Sequence, residues 1–235
     1  MDRSLPLLER PTYGMAEVDG LLGLPNGTAR RWIDGYERNR KRYPPVVRLE
    51  PTGDDLVTWG EFVETRLLAE YRRAGAAMIR MRPAVERLRE ELDTPYPLAH
   101  AAPFLDVEGL ELVRRIQAEV GLESSLRLVV VRNDQTVLAD RSKAFVDSAD
   151  YGGTATPRGR VVERLYAAPD LREVVLDPLR RSGKPVVRSV PTEVIAEQFR
   201  AGDPVEAIAE LYELDPRLVE AALRYELLTG SDRAA

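Results

Sequence analysis

The chain has 235 residues, 44% of them hydrophobic and 31% charged, with a formal net charge of −5, a length and composition that fit two small soluble domains. It has no cysteine and a single histidine, His100, which excludes disulfides and thiolate metal sites and would leave zinc ligation mostly to carboxylates. Met1 to Pro11 lack the apolar stretch of a signal peptide, and no apolar run nears the ~18 residues of a membrane span, so a cytoplasmic protein with no membrane contact, metal or cofactor is expected.

The net charge hides an asymmetry. From Arg30 to Arg48 seven basic residues (Arg30, Arg31, Arg38, Arg40, Lys41, Arg42, Arg48) face two acids, Asp34 and Glu37. From Thr192 to Leu228 nine acids face Arg200, Arg217 and Arg224. A basic cluster is the footprint of phosphate contact and an acidic module is not, so the two ends should have different partners.

At the N-terminus, Ala16, Leu21 and Leu22 can line a short helix that Gly23 ends. Asn26 or Thr28 can cap a second helix running towards Gly35, with Trp32 and Ile33 packed inward and Arg30, Arg31 and Tyr36 pointing outward. This is the geometry of a helix-turn-helix that enters a major groove. After Pro44-Pro45, strands Val46–Leu49 and Leu56–Thr58 about a turn at Gly53-Asp54 read as a wing, with Arg40, Lys41, Arg42 and Arg48 at its root for phosphates. A basic run with one tryptophan is often only a solvated face; the ordered helix, turn, helix and wing favour DNA.

Tyr13, Glu17, Leu24, Thr28, Arg31 and Trp32, followed by Trp59-Gly-Glu-Phe62-Val, resemble the signature of the MerR superfamily over about residues 12–92. Asp34–Tyr43 departs from that pattern, being longer and more basic than the usual connection. The resemblance implies a winged helix-turn-helix that binds operator DNA through Thr28, Arg30, Arg31, Tyr36, Arg38, Arg40, Lys41, Arg42 and Arg48. Phe62, Val63, Leu67, Leu68 and Tyr71 recur near a helical period, as do Met78, Ile79, Val85, Leu88 and Leu92, with a break at Gly75 and a kink or fresh start at Pro83. In the resembled family such a helix pairs with its twin, which implies a homodimer; core packing is the competing reading.

Thr94-Pro-Tyr-Pro97 marks a boundary. Asp106 to Gly121 reads as an amphipathic helix, and Leu126–Val131, Asn133-Asp134 and Thr136–Ala139 as a hairpin. Tyr151–Pro157 reads as a loop, and Gly152-Gly153 lacks the context of a phosphate loop. This middle part reads as a connector. No nucleophile elbow accompanies His100, so an enzyme is not expected.

Farther on, Val174 to Val187 gives two short β runs. Three helices follow: Thr192 to Phe199, with Ile195, Ala196 and Phe199 inward; one opened by Asp203-Pro204, with Ile208, Ala209 and Leu211; and one opened by Asp215-Pro216, with Val219, Ala222, Leu223, Tyr225 and Leu227. Asp177-Pro, Gly183-Lys-Pro-Val-Val, Pro191-Thr, Gly202-Asp, Ile208-Ala, Val219, Ala221-Ala222 and Tyr225 resemble a small antitoxin domain family long catalogued as a domain of unknown function, encoded beside PIN-like ribonuclease toxins. Arg188 keeps that family's pattern, whereas Ser189-Val190-Pro191 replaces its usual Gly-Thr-Arg. The whole layout is similar to larger VapB-like antitoxins.

The expected fold is therefore mainly α with short β wings and hairpins. It comprises a MerR-like winged helix-turn-helix with a dimerisation helix (1–93), a connector (94–170), and a three-helix, helix-turn-helix-like antitoxin domain (171–235). The expected function is that of an antitoxin that autoregulates its operon and neutralises a PIN-like ribonuclease by protein contact. Arg188, Phe199, Tyr212, Leu214 and Tyr225 are candidate toxin-binding residues, with core packing or solvation as their competing roles. The alternative is a MerR-type one-component regulator with an organic effector.

Overall fold

The computed structural model describes residues 7–72, 78–153 and 159–231. Strand β1 (Pro11–Gly14) leads into helix α1 (Met15–Leu21) and, after a turn with Gly23 at φ 60°, into α2 (Thr28–Ile33). These are the two short helices that the apolar spacing predicts. The cap of α2 differs from expectation. Asn26 and Thr28 do not supply it; the buried Asp19 carboxylate of α1 accepts the N–H groups of Gly27 at 2.6 Å and Ala29 at 2.7 Å. A helix start presents free donors and a positive dipole end. A carboxylate from the preceding helix answers both and ties α1 to α2.

The β elements shift as well. Residues Val46–Leu49 form no strand, because the N–H groups of Val46 and Val47 donate to the Trp32 carbonyl at 2.7 and 3.0 Å. The hairpin lies earlier, where β2 (Tyr36–Arg38) and β3 (Lys41–Tyr43) pair antiparallel. Asn39 and Arg40 turn it with φ of 53° and 60°, the primed two-residue geometry that asparagine tolerates. Pro44-Pro45 then stops β3, since proline cannot donate to a ladder. Leu56–Thr58 is a strand, β4, but it pairs with β1.

Helix α3 (Trp59–Arg72) is enclosed by its own chain: Trp59, Phe62, Val63, Leu67 and Leu68 are at most 1% exposed. It offers no free apolar stripe, so along α3 the competing reading, core packing, holds. The expected break at Gly75 lies outside the described residues. Helix α4 (Arg82–Leu92) begins with Pro83 in its first turn, as a fresh helix start should.

The middle part is more than a connector. After α5 (Ala102–Leu105) and α6 (Val107–Glu119), the hairpin of β5 (Val129–Arg132) and β6 (Gln135–Leu138) turns at Asn133-Asp134 as expected. Helix α7 (Asp140–Asp147) and strands β7 (Ala149–Gly153) and β8 (Arg160–Ala168) follow, without a counterpart in the sequence reading. The expected loop from Tyr151 is strand as far as Gly153, and its Thr154–Pro157 part lies outside the described residues. Strands β7 and β8 open a five-stranded antiparallel sheet continued by β9 (Leu171–Leu176), β10 (Val186–Val187) and β11 (Val190–Pro191). One buried cluster runs from Leu8 to Leu176 and joins Trp59 and Phe62 to Phe104, Ile116, Phe145 and Val162. The Trp59 indole N–H donates to the Val162 carbonyl at 2.7 Å across this core.

Helices α8 (Thr192–Ala201), α9 (Val205–Leu211) and α10 (Pro216–Ser231) are the expected three, packed on a second cluster with Val174, Ile195, Ile208, Val219 and Tyr225. The Tyr13 hydroxyl, near the N-terminus, donates to the Gly183 carbonyl at 2.6 Å. Gly183 has φ 79°, and a Cβ there would lie 2.5 Å from the Tyr13 oxygen. That contact is why the Gly183-Lys-Pro-Val-Val run opens with glycine. Among the described residues, no helix is long and apolar enough to cross a membrane.

Candidate functional site

The basic cluster resolves into two consecutive elements, α2 and the β2–β3 hairpin, joined by Asp34 and Gly35. Arg30 and Arg31 are exposed on α2, and Arg38, Arg40, Lys41 and Arg42 are exposed on the hairpin, with Glu37 its one acid. Tyr36 and Tyr43 stack across the strands with ring centroids 4.6 Å apart and planes 6° apart. The Lys41 ammonium lies 5.3 Å from the Tyr43 ring. A cross-strand aromatic pair stiffens a two-stranded ribbon that is otherwise marginal in water, so the cations sit on a supported element.

Not every sequence-predicted residue belongs to this surface. Thr28 is buried and accepts a 2.8 Å hydrogen bond from the Arg31 guanidinium, so it positions Arg31 rather than meeting a ligand. Arg30 forms an ion pair with Asp55, both side chains being well exposed; such a pair holds little free energy against a phosphate. Arg48 leaves the set. Its side chain is 8% exposed and donates to Glu61 at 2.7 Å and to Asp34 at 2.9 Å. It also donates to the Leu56 carbonyl at 2.7 Å. Burial alone would raise Asp34, but the N–H of Thr52, the Arg48 guanidinium and the N–H of Gly53 outweigh it and hold the carboxyl below its ordinary range. This arginine clips the segment after the hairpin onto α3. Asp19 and Asp55 are the residues that sequence reasoning missed; Asp19 acts on a helix start eight residues away, a spacing with no local signature.

The acidic end presents a different face. Phe199, expected inward, is 48% exposed, and Leu211 is 63% exposed. Leu227, on the last helix, is 70% exposed. Exposed Glu197, Glu206, Glu210 and Glu213 accompany Phe199 and Leu211 on α8, α9 and the turn after it. Leu214 and Tyr225 are buried in the second core, and Tyr212 is half-buried against it, so packing is the role of the first two. Arg188 is exposed at the β10–β11 turn with φ 55°. Lys184 is paired with Glu193, and Arg180 with Asp177. Among the described residues, no group of three or more His, Asp or Glu side chains is arranged to hold a metal ion.

Residues 174–225, from β9 into α10, match the family described as protein of unknown function DUF433. Over 222 residues the chain is 40% identical to the uncharacterized protein Rv2308 of Mycobacterium tuberculosis, across 93% of this chain and 91% of that protein. The chain belongs to the Rv2308 family. It is also 29% identical over 238 residues to the putative antitoxin VapB45 of the same organism, across 94% and 97% of the two chains. The crystal structure of Rv2018 from Mycobacterium tuberculosis is similar as well, with 27% identity, a TM-score of 0.71, and coverage of 91% of this chain and 97% of that one. The likeness therefore runs through the middle segment as well as the two ends. Residues 94–170 are an integral part of the architecture that the Rv2308 family shares with these relatives.

Proposed function

We propose that the chain is a type II antitoxin that binds the operator of its own operon through α2 and the β2–β3 hairpin and silences a PIN-like ribonuclease toxin through the acid-rich face of α8 and α9. In this reading α1 and α2 are a MerR-like helix-turn-helix, the hairpin is its wing, and the chain acts in the cytoplasm. The observation that carries the proposal is the separation of charge. Six exposed cations crowd two adjoining elements at one end, while exposed Phe199 and Leu211 at the other belong to α8 and α9, whose exposed charged residues are Glu193, Glu197, Glu206 and Glu210 against Arg200. The relative named as a putative antitoxin, matched along nearly its whole length, supports the same reading.

The physics of each face favours its partner. Cations on a hairpin release condensed counterions when they meet phosphates, which drives binding and makes it salt-dependent. Carboxylates would repel a duplex but complement a nuclease whose own groove is built to attract RNA, and exposed apolar side chains supply the buried anchors that tight protein interfaces need. A gel shift with the DNA upstream of its own gene, repeated over a salt series, tests the first half. If each of the six cations neutralises one phosphate, the slope of log affinity against log salt should be about −5; a flat salt response contradicts the proposal. Co-purification tests the second half. A stoichiometric basic nuclease is expected, whereas the alternative of a one-component regulator with an organic effector expects none. A palindromic operator would require a homodimer, and α3, enclosed in its own chain, would not be its seam.

A further inference from the structure

A cleft of about 410 Å³ lies where the helix-turn-helix meets the sheet and the last helix. Leu21 and Leu22 form one wall at the end of α1; Ala167, Ala168 and Leu171 form another at the β8–β9 turn; Leu228 of α10 stands at a third side. The charged groups in it are Arg66 and Glu70, one turn apart on α3, paired with each other and with side chains only 10% and 14% exposed. Beyond that pair, Arg66 reaches the Ala167 carbonyl at 3.5 Å, the outer limit of a hydrogen bond. A guanidinium carries five N–H donors in a planar fork, so these two contacts leave donors to spare.

We propose that this cleft binds a small apolar carboxylic acid, its carboxylate on Arg66 and its hydrocarbon or aromatic body against the leucine and alanine walls. The volume falls within the roughly 300–1,000 Å³ of small-molecule sites, which favour junctions between domains and combine apolar walls with a few polar groups. The charge also fits. Glu70 borders a second groove, lined by Arg127, Arg132 and Arg141. Arg132 there is paired with Asp140, which leaves Arg127 and Arg141 as the cations bordering the same groove as Glu70 when an incoming carboxylate takes Arg66. Because Leu21 ends the helix that carries the Asp19 cap of α2 and Leu22 follows directly, the ligand would bridge the helix-turn-helix to the body of the protein. The inference does not depend on the toxin or the operator.

The test uses the full chain without DNA. Titration with 8-anilinonaphthalene-1-sulfonate, an aromatic anion, and with its uncharged analogue N-phenyl-1-naphthylamine is followed by fluorescence and by calorimetric stoichiometry. The proposal expects saturable one-to-one binding of the anion, at least tenfold tighter than the neutral probe. Ala168→Trp, which fills the cleft, and Leu228→Glu, which adds a negative charge at an exposed position on its rim, should each weaken the anion at least tenfold. Glu70→Gln, which frees Arg66, should tighten it severalfold. Circular dichroism and thermal unfolding establish that each variant is folded; Leu228→Glu alone decides the matter if Ala168→Trp is not. No saturable site, equal affinity for both probes, or anion binding indifferent to Leu228→Glu and Glu70→Gln would each overturn the proposal.

Discussion

Arg40 and Arg48 carry the same charge eight positions apart and end in opposite surroundings. Arg40 stands in the hairpin turn with its side chain in water. Arg48 is enclosed by Asp34, Glu61, Thr52 and the Leu56 carbonyl. Substituting them should therefore separate stability from binding. Arg48→Met leaves two partly buried carboxylates unpaired, a loss of about 3–5 kcal/mol in buried pairs, read as an early midpoint in urea. Arg40→Ala should change stability by no more than about 0.5 kcal/mol while weakening operator affinity. Equal stability effects would mean that the two arginines do not differ as the fold says. The count of cations is legible from composition, but which of them is consumed internally is not. Asp34 and Glu61 lie 14 positions before and 13 after Arg48, and only tertiary folding brings them to it. Thr28 carries the same lesson, since a hydroxyl at a helix start reads as a cap until Asp19 takes that role.

At the level of elements, helices are more legible than strands. The spacing of apolar residues locates α1, α2, α6 and the three C-terminal helices, because a 3.6-residue period is a property of the segment itself. Strand pairing is not: β4 pairs with distant β1, Val57 opposite Tyr13, and Val46-Val47 resembles a strand by composition while its N–H groups serve the end of α2. The hairpin makes a quantitative prediction. Replacing Arg38, Arg40, Lys41 and Arg42 by alanine should reduce the salt slope of operator binding by about 3 to 4, at roughly 0.9 for each phosphate that is no longer neutralised. An unchanged slope would remove the hairpin from the interface. Helix α3 makes another. Its Glu64 is wholly buried, and burial, only partly opposed by Arg89 at 3.5 Å and the Leu98 N–H at 2.9 Å, pushes it up to about 7 from 4.5. Between those values the folded chain keeps a proton that the unfolded chain has released, so this residue's contribution to stability falls as pH rises from 4.5 through about 7. The fall is on the order of 3 kcal/mol at most. Glu64→Gln keeps an oxygen for the Leu98 N–H and should flatten this part of the profile. Urea unfolding at pH 5 and pH 8 measures it; parallel losses in both proteins would assign the pH dependence to other groups.

Across the whole molecule, we expect the two oppositely charged ends not to behave as separable modules. The sequence divides at residues 93 and 170 by proline content and charge, yet the buried cluster crosses both boundaries, from Leu8 to Leu176. A segment whose apolar residues pack on distant elements looks like a connector when read alone, which is why 94–170 is not legible as core. The consequence concerns truncation. Cutting after Pro169 would strip β9 from β8, where Leu165 faces Leu176 and Tyr166 faces Val175. It would also take Gly183 from the Tyr13 hydroxyl. The shortened chain should lose cooperative thermal unfolding and, with it, operator binding, although every residue proposed to meet DNA is retained. The two proposed activities should instead separate in the full chain. Phe199→Asp combined with Leu211→Asp alters exposed side chains only and should leave the melting temperature and the gel shift intact while abolishing co-purification of the toxin. A truncated chain that melts cooperatively and binds its operator as the full chain does would show that the ends fold independently, and the contact between Tyr13 and Gly183 would then be incidental to the architecture.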